Sequence, residues 1–110
     1  MGFQDTSRQR RFSPETLQKI NLFETADMFC DVYCLEPGQA QKPHVHARAT
    51  KFYYVIEGSG AFRVGDETRT LKPGELAWSP PGAVHGVTNT SSGRLVLLVV
   101  MAPNPNVRAS

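Results

Sequence analysis

From Met28 onward the chain is written as short apolar or alternating runs, separated at regular intervals by glycine and proline turns. The runs are Met28–Leu35, His44–Ala47, Lys51–Glu57, Ala61–Val64, Thr68–Leu71, Leu76–Ser79, Gly86–Asn89 and Leu95–Met101. Between them stand turn sequences such as Glu36-Pro37-Gly38, Gly58-Ser59-Gly60, Lys72-Pro73-Gly74 and Pro80-Pro81-Gly82. Strands this short, with no helical period between them, predict an all-β antiparallel sandwich or barrel. One hundred and ten residues make a single domain with enough chain to bury a core.

The part before Met28 reads differently. Residues 1–12 are polar and unpatterned, and Arg8, Arg10 and Arg11 hold much of the small excess behind the net charge of +2. They predict a flexible leader. No basic and aromatic residues interleave later, so no nucleic-acid surface is expected. Phe12-Ser13-Pro14-Glu15 has the form of a helix entrance, with Ser13 as N-cap, Pro14 at the first helical position, and Phe12 and Leu17 as a staple. It predicts a short helix or single turn ending near Ile20, acting as a lid or plug. The barrel domain is then expected over 13–110, with the tail leaving the sheet at Pro103. The longest apolar run, Leu95 to Ala102, is far too short to span a membrane, and no apolar leader follows Met1, so the expected compartment is the cytoplasm. Cys30 and Cys34 lie four apart; on a strand they are about 13 Å from each other, beyond disulfide reach, and are read as packed thiols.

The chain has three histidines, and their placement is the main chemical signal. His44 and His46 are two apart on a predicted strand, so the pleat sends both to one face. His85 follows the stiff loop Pro80-Pro81-Gly82. Three imidazoles meeting at one spot would suit a divalent first-row metal and leave positions open for substrate. Spacing alone leaves this level with two surface histidines and an unrelated turn histidine.

The motifs around these histidines are more specific. Gly38, five residues, His44-Val45-His46 and later Gly58 resemble the first motif of the cupins. Gly74, five residues, Pro80-Pro81-Gly82, two residues, His85, three residues and Asn89 resemble the second. The resemblance covers about 28–102. It implies a single cupin barrel (a double-stranded β-helix or jelly roll) with a divalent metal (Fe, Mn, Ni or Zn) on His44, His46 and His85, and a homodimer.

The chain departs from the family pattern at one position. Where the first motif carries a metal-ligating glutamate, seven residues before Gly58, this sequence has Lys51. Glu57 is six residues on from Lys51, about 20 Å along an extended strand, and cannot ligate the same metal. Three readings stay open. The three histidines hold a metal and Lys51 turns away or pairs with an acid; or the metal is lost and Lys51 receives an anionic ligand; or a buried Lys51 of lowered pKa acts as base or Schiff-base amine. A lysine that reaches solvent along its stem is the plain alternative to all three.

Tyr53 and Val55 share parity with Lys51, so Lys51 and Tyr53 are the candidate catalytic groups. Val55, Phe62, Trp78, Val87, Asn89, Leu97 and Met101 are the candidate pocket residues. Such a cavity suits a small organic molecule with one anionic or chelating group. The leading expectation is a metal-dependent small-molecule enzyme, with oxygenase chemistry ahead of isomerisation or lysis. The competing one is a non-catalytic binding or sensor cupin in which Lys51 replaces the missing carboxylate.

Overall fold

The computed structural model describes residues 2–106; the first residue of the expected leader and the last four of the expected domain lie outside them. Among the described residues are one 3-10 turn, Thr6–Arg8, and nine strands: β1 Gln18–Glu24, β2 Phe29–Leu35, β3 Ala40–Val45, β4 Thr50–Glu57, β5 Gly60–Val64, β6 Glu67–Leu71, β7 Leu76–Ser79, β8 Val84–Thr88 and β9 Leu95–Ala102. They form two antiparallel sheets, one in the order β1-β2-β9-β4-β7 and the other β3-β8-β5-β6. No helix among the described residues is long and apolar enough to cross a membrane.

The alternation read in the sequence is the alternation seen in the sheets. On β4, Lys51, Tyr53 and Val55 are buried while Phe52, Tyr54 and Ile56 lie on the other face. Val55, Phe62, Val87, Leu95, Leu97, Val99 and Met101 close into one core cluster with Tyr33 and Tyr53. Each fully buried aliphatic side chain there contributes about 1.5–3 kcal/mol relative to exposure. A second cluster on the outer face of the five-stranded sheet joins Val32, Cys34 and Val96 to Phe12, Ile20 and Ile56. Cys30 and Cys34 are both buried and unbridged.

The N-terminal region differs from expectation. A helical turn is present, but at Thr6–Arg8; the predicted helix after Ser13 is replaced by bends and then by β1. Ser13 does cap locally, its Oγ accepting from the Glu15 amide at 3.2 Å. The chain then extends because Gln18–Glu24 can pair with β2, Lys19 opposite Tyr33 and Asn21 opposite Asp31. That ladder outweighs a weak local preference for helix. The staple is not formed: Phe12 packs on the outer cluster and Leu17 on the core. Arg11 donates to the Lys19 carbonyl at 3.1 Å, so the leader lies against the barrel. At the other end β9 stops before Pro103, and Asn104 is buried, its amide donating to Glu24 and to the Thr25 carbonyl at 3.0 Å each.

Three glycines, Gly58, Gly60 and Gly86, are required by close approach. Gly58 has φ +81°, and a Cβ there would stand 2.1 Å from the Arg94 carbonyl oxygen. Gly86, on β8, faces the bulge in β3 between Gln41 and His44; a Cβ would meet the Gln41 carbonyl at 2.8 Å and Pro43 at 2.9 Å. Pro43 is tolerated because β3 is an edge strand and the bulge needs no ladder donor there. Gly86→Ala is therefore expected to push β3 away from β8, costing about 2 kcal/mol or more in chemical denaturation and loosening the histidine cluster it carries.

Candidate metal centre

His44 lies directly opposite His85 across the β3–β8 ladder, and His46 follows two residues later, just past the end of β3. The bulge before His44 and the loop before His85 set their approach. The Gly82 amide donates to the His46 carbonyl at 2.9 Å, tying the Pro80-Pro81-Gly82 loop to the first motif. The three imidazoles each bring one nitrogen into a group whose members all lie within 4.8 Å of one another.

For His44 and His85 the hydrogen bonds indicate which nitrogen that is. His44 Nδ1 lies 2.8 Å from the Lys42 carbonyl, and His85 Nδ1 lies 3.1 Å from the Ala83 carbonyl. A carbonyl oxygen only accepts, so both Nδ1 atoms carry the proton and both Nε2 atoms present a lone pair. Ser79 Oγ, 3.2 Å from His85 Nδ1, adds a second acceptor on the same side. Backbone and hydroxyl groups holding the far nitrogen are the usual outer support of a metal-ligating histidine. His85 is 1 % exposed, and its Nε2 is buried with no hydrogen-bond partner. Burial, opposed only by the Ala83 bond, pushes its pKa down to about 4, so it is neutral at physiological pH. Burial lowers His44 and His46 as well.

Lys51 sits inside this cluster rather than at the rim. It is 2 % exposed; its Nζ donates to Gln41 Oε1 at 2.9 Å and approaches His44 Nε2 at 3.4 Å. The Nζ also lies 4.9 Å from the Tyr53 ring and 5.7 Å from the Tyr33 ring. Burial, aided by Lys19 and opposed by Asp31, lowers its pKa from 10.5 to about 7. Among the described residues no carboxylate lies within ion-pair distance of it. Tyr53 donates to the same Gln41 oxygen at 2.5 Å, and burial pushes its phenol up. Burial likewise moves Tyr33 up to about 12. Both phenols stay protonated at neutral pH, and the Tyr33 hydroxyl accepts from Gln41 Nε2 at 3.5 Å.

The double-stranded β topology, the two motifs and three converging imidazoles agree with a match to the cupin-domain family model over residues 31–101. The chain is a cupin. It is 48 % identical to a protein of Thermus thermophilus whose crystal structure superimposes with a TM-score of 0.92, over 96 % of this chain and all of that one. It is 32 % identical over 97 residues to an uncharacterized Aquifex aeolicus protein, covering 88 % of this chain and 78 % of that protein. It is 28 % identical over 67 residues to a Thermotoga maritima protein named an oxalate-binding protein, covering 61 % of this chain and 55 % of that one.

Other candidate residues of the cupin barrel fall into distinct places. Val55, Phe62, Val87, Leu97 and Met101 belong to the packed core. Trp78 is 58 % exposed, opposite Phe52 on the outer parity of β7, where it borders a groove of about 300 Å³ with Phe62 and Leu71. Asn89 is buried but turned to its own loop, its amide donating to the Leu35 and Gly93 carbonyls. A wider cleft of about 490 Å³, lined by Arg10, Arg11, Phe12, Glu57 and Arg94, lies away from the histidines.

Three neighbours escaped the sequence reading: Gln41, Tyr33 and Ser79. Gln41 fell between the Glu36-Pro37-Gly38 turn and the predicted run from His44, outside any predicted strand. Its signal would have been strand parity counted across a bulge, which spacing does not reveal.

Proposed function

We propose that this cupin is a metal-dependent enzyme acting on a small organic acid or comparable chelating molecule, with His44, His46 and His85 holding a divalent ion. The observation that carries this reading is the buried, unpartnered His85 Nε2 beside two other imidazole nitrogens. A buried acceptor with no partner costs about 1–3 kcal/mol, and ligation would satisfy it. The donor set fits an ion of the Fe, Mn, Ni or Zn kind. Lys51 shares the His44 lone pair, but Gln41 offers its amine another acceptor.

A bound ion would supply Lewis-acid character, or dioxygen binding if ferrous, with oxygenase chemistry ahead of isomerisation or lysis. The chain's own residues do the rest. Gln41 fixes Lys51 and Tyr53 together, so Lys51 Nζ can donate to an anionic oxygen beside His44. Val55, Phe62, Val87, Leu97 and Met101 exclude water from the inner side of the site. The Thermotoga maritima relative's name supports an acid as the ligand class.

A second reading, a non-catalytic binding cupin, draws support from the Lys51–His44 contact, which engages one ligand lone pair. The two separate on metal content. The enzyme is expected to carry close to one transition-metal ion per chain by elemental analysis, removable by a chelator, and to consume dioxygen or convert a chelating acid. Absence of metal after incubation with Fe(II), Mn(II) and Zn(II) would sink the metalloenzyme and leave the binder.

The assembly is proposed to be a homodimer. Tyr54, Leu76 and Trp78 place exposed apolar surface on the outer side of β4 and β7, which a second chain would cover. Sedimentation velocity is expected to show twice the chain mass; a monomer at working concentration would overturn it.

A further inference from the structure

The group that would hold the ion contains no carboxylate: all three ligating side chains are imidazoles. The remaining charged groups near it are mostly cationic. Lys51 Nζ is 3.4 Å from His44 Nε2, and Lys19 Nζ lies 5.2 Å from the Tyr33 ring that Lys51 also approaches. The one acid on the inner face of β2, Asp31, accepts from Asn21 Nδ2 at 2.8 Å and makes no ion pair with Lys51. Three neutral imidazoles leave a dication with its whole charge in a site where His85 is buried and His44 and His46 are half-buried, and uncompensated charge is expensive as solvent is withdrawn. Protonated or neutral, Lys51 brings no negative charge to offset it.

We propose that metal and a small organic carboxylate bind here cooperatively, the carboxylate supplying the negative charge that the chain withholds and Lys51 donating to it. The inference rests on the metal-binding reading above and names the ligand class that reading needs. Lys51 Nζ carries up to three N–H groups. Gln41 Oε1 takes one, and the contact with His44 Nε2 is surrendered when that lone pair ligates, which frees donors beside the ion. The buried, unpartnered His85 Nε2 is the independent sign that this spot is built for an occupant. Binding free energies are linked, so the metal must tighten the carboxylate by the same factor as the carboxylate tightens the metal.

The test is equilibrium dialysis of chelator-stripped full-length protein against Mn(II), with oxalate, with its neutral diamide oxamide, or with neither. Free Mn(II) is measured in the protein-free compartment, so chelation in solution does not count as binding. Oxalate is expected to tighten Mn(II) about tenfold to a hundredfold, and oxamide to leave it unchanged. Lys51→Met should bind Mn(II) alone more tightly and respond less to oxalate; Lys51→Glu should bind it without oxalate and gain nothing further. Equal Mn(II) affinity in all three baths for the parent protein overturns the inference and leaves the metal reading standing. An undiminished oxalate response in Lys51→Met overturns the part given to Lys51. No Mn(II) bound in any bath overturns both.

Discussion

Replacing His85 by alanine is expected to lower metal affinity by well over about a hundredfold, beyond the loss typical of an outer hydrogen-bond partner. It should also abolish the rise in thermal stability that the parent shows on adding Mn(II) or Zn(II). His85 is the most buried of the three histidines, neutral at physiological pH, and presents Nε2 with no competing partner. Metal added at about a hundred times its dissociation constant should stabilise the parent by about 2.7 kcal/mol, because it binds the folded state alone. Ser79→Ala is the matched control. Ser79 Oγ meets His85 at the far nitrogen only, its other contacts being the Pro80 and Ala83 carbonyls, and the Ala83 carbonyl still holds that proton. Its metal affinity should fall by less than about tenfold. If His85→Ala keeps both its metal and its thermal shift, the three-histidine centre is not the metal site.

Much of this site was legible in the sequence. The spacing of two motifs carried His44, His46 and His85 and the barrel around them, because strand parity and turn residues are local properties of the chain. The position of Lys51 beside them followed from counting back from Gly58. Its surroundings did not. Whether the ammonium reached solvent or the histidines depended on Gln41, which a bulge in β3 turns toward it. The strand β1 was also missed, since Ser13-Pro14-Glu15 carries a true local helix-entry signal and its defeat by pairing with β2 is a tertiary effect. Trp78 shows the limit from the other side: read as a pocket residue, it pairs with Phe52 on the outer parity and is 58 % exposed.

Lys51→Met is expected to stabilise the metal-free protein by a few kcal/mol at about pH 6, with the gain shrinking toward about pH 9. Lys51 is 2 % exposed with no carboxylate partner among the described residues, and burial brings its pKa from 10.5 to about 7. Between those two values the unfolded chain holds a proton that the folded chain has released, so the parent's stability rises with pH across that window. Below about 7 both states are protonated and the full cost of a buried ammonium remains. Methionine keeps the length of the stem and removes the charge, and Gln41 Oε1 still accepts from Tyr53. Urea denaturation of both proteins in chelator at the two pH values reports chiefly on this group; the three histidines, whose pKa values the Lys51 charge also lowers, are the other titrations that differ between the pair. A gain that stays constant with pH would mean that Lys51 keeps its proton in the folded protein, and the stabilisation would then come from packing alone. A loss of stability at about pH 6 would mean that the Gln41 and tyrosine contacts outweigh the cost of burying the ammonium. The same substitution that strengthens the fold is the one expected to weaken the response to oxalate, so a chain selected for stability alone would not keep a lysine here.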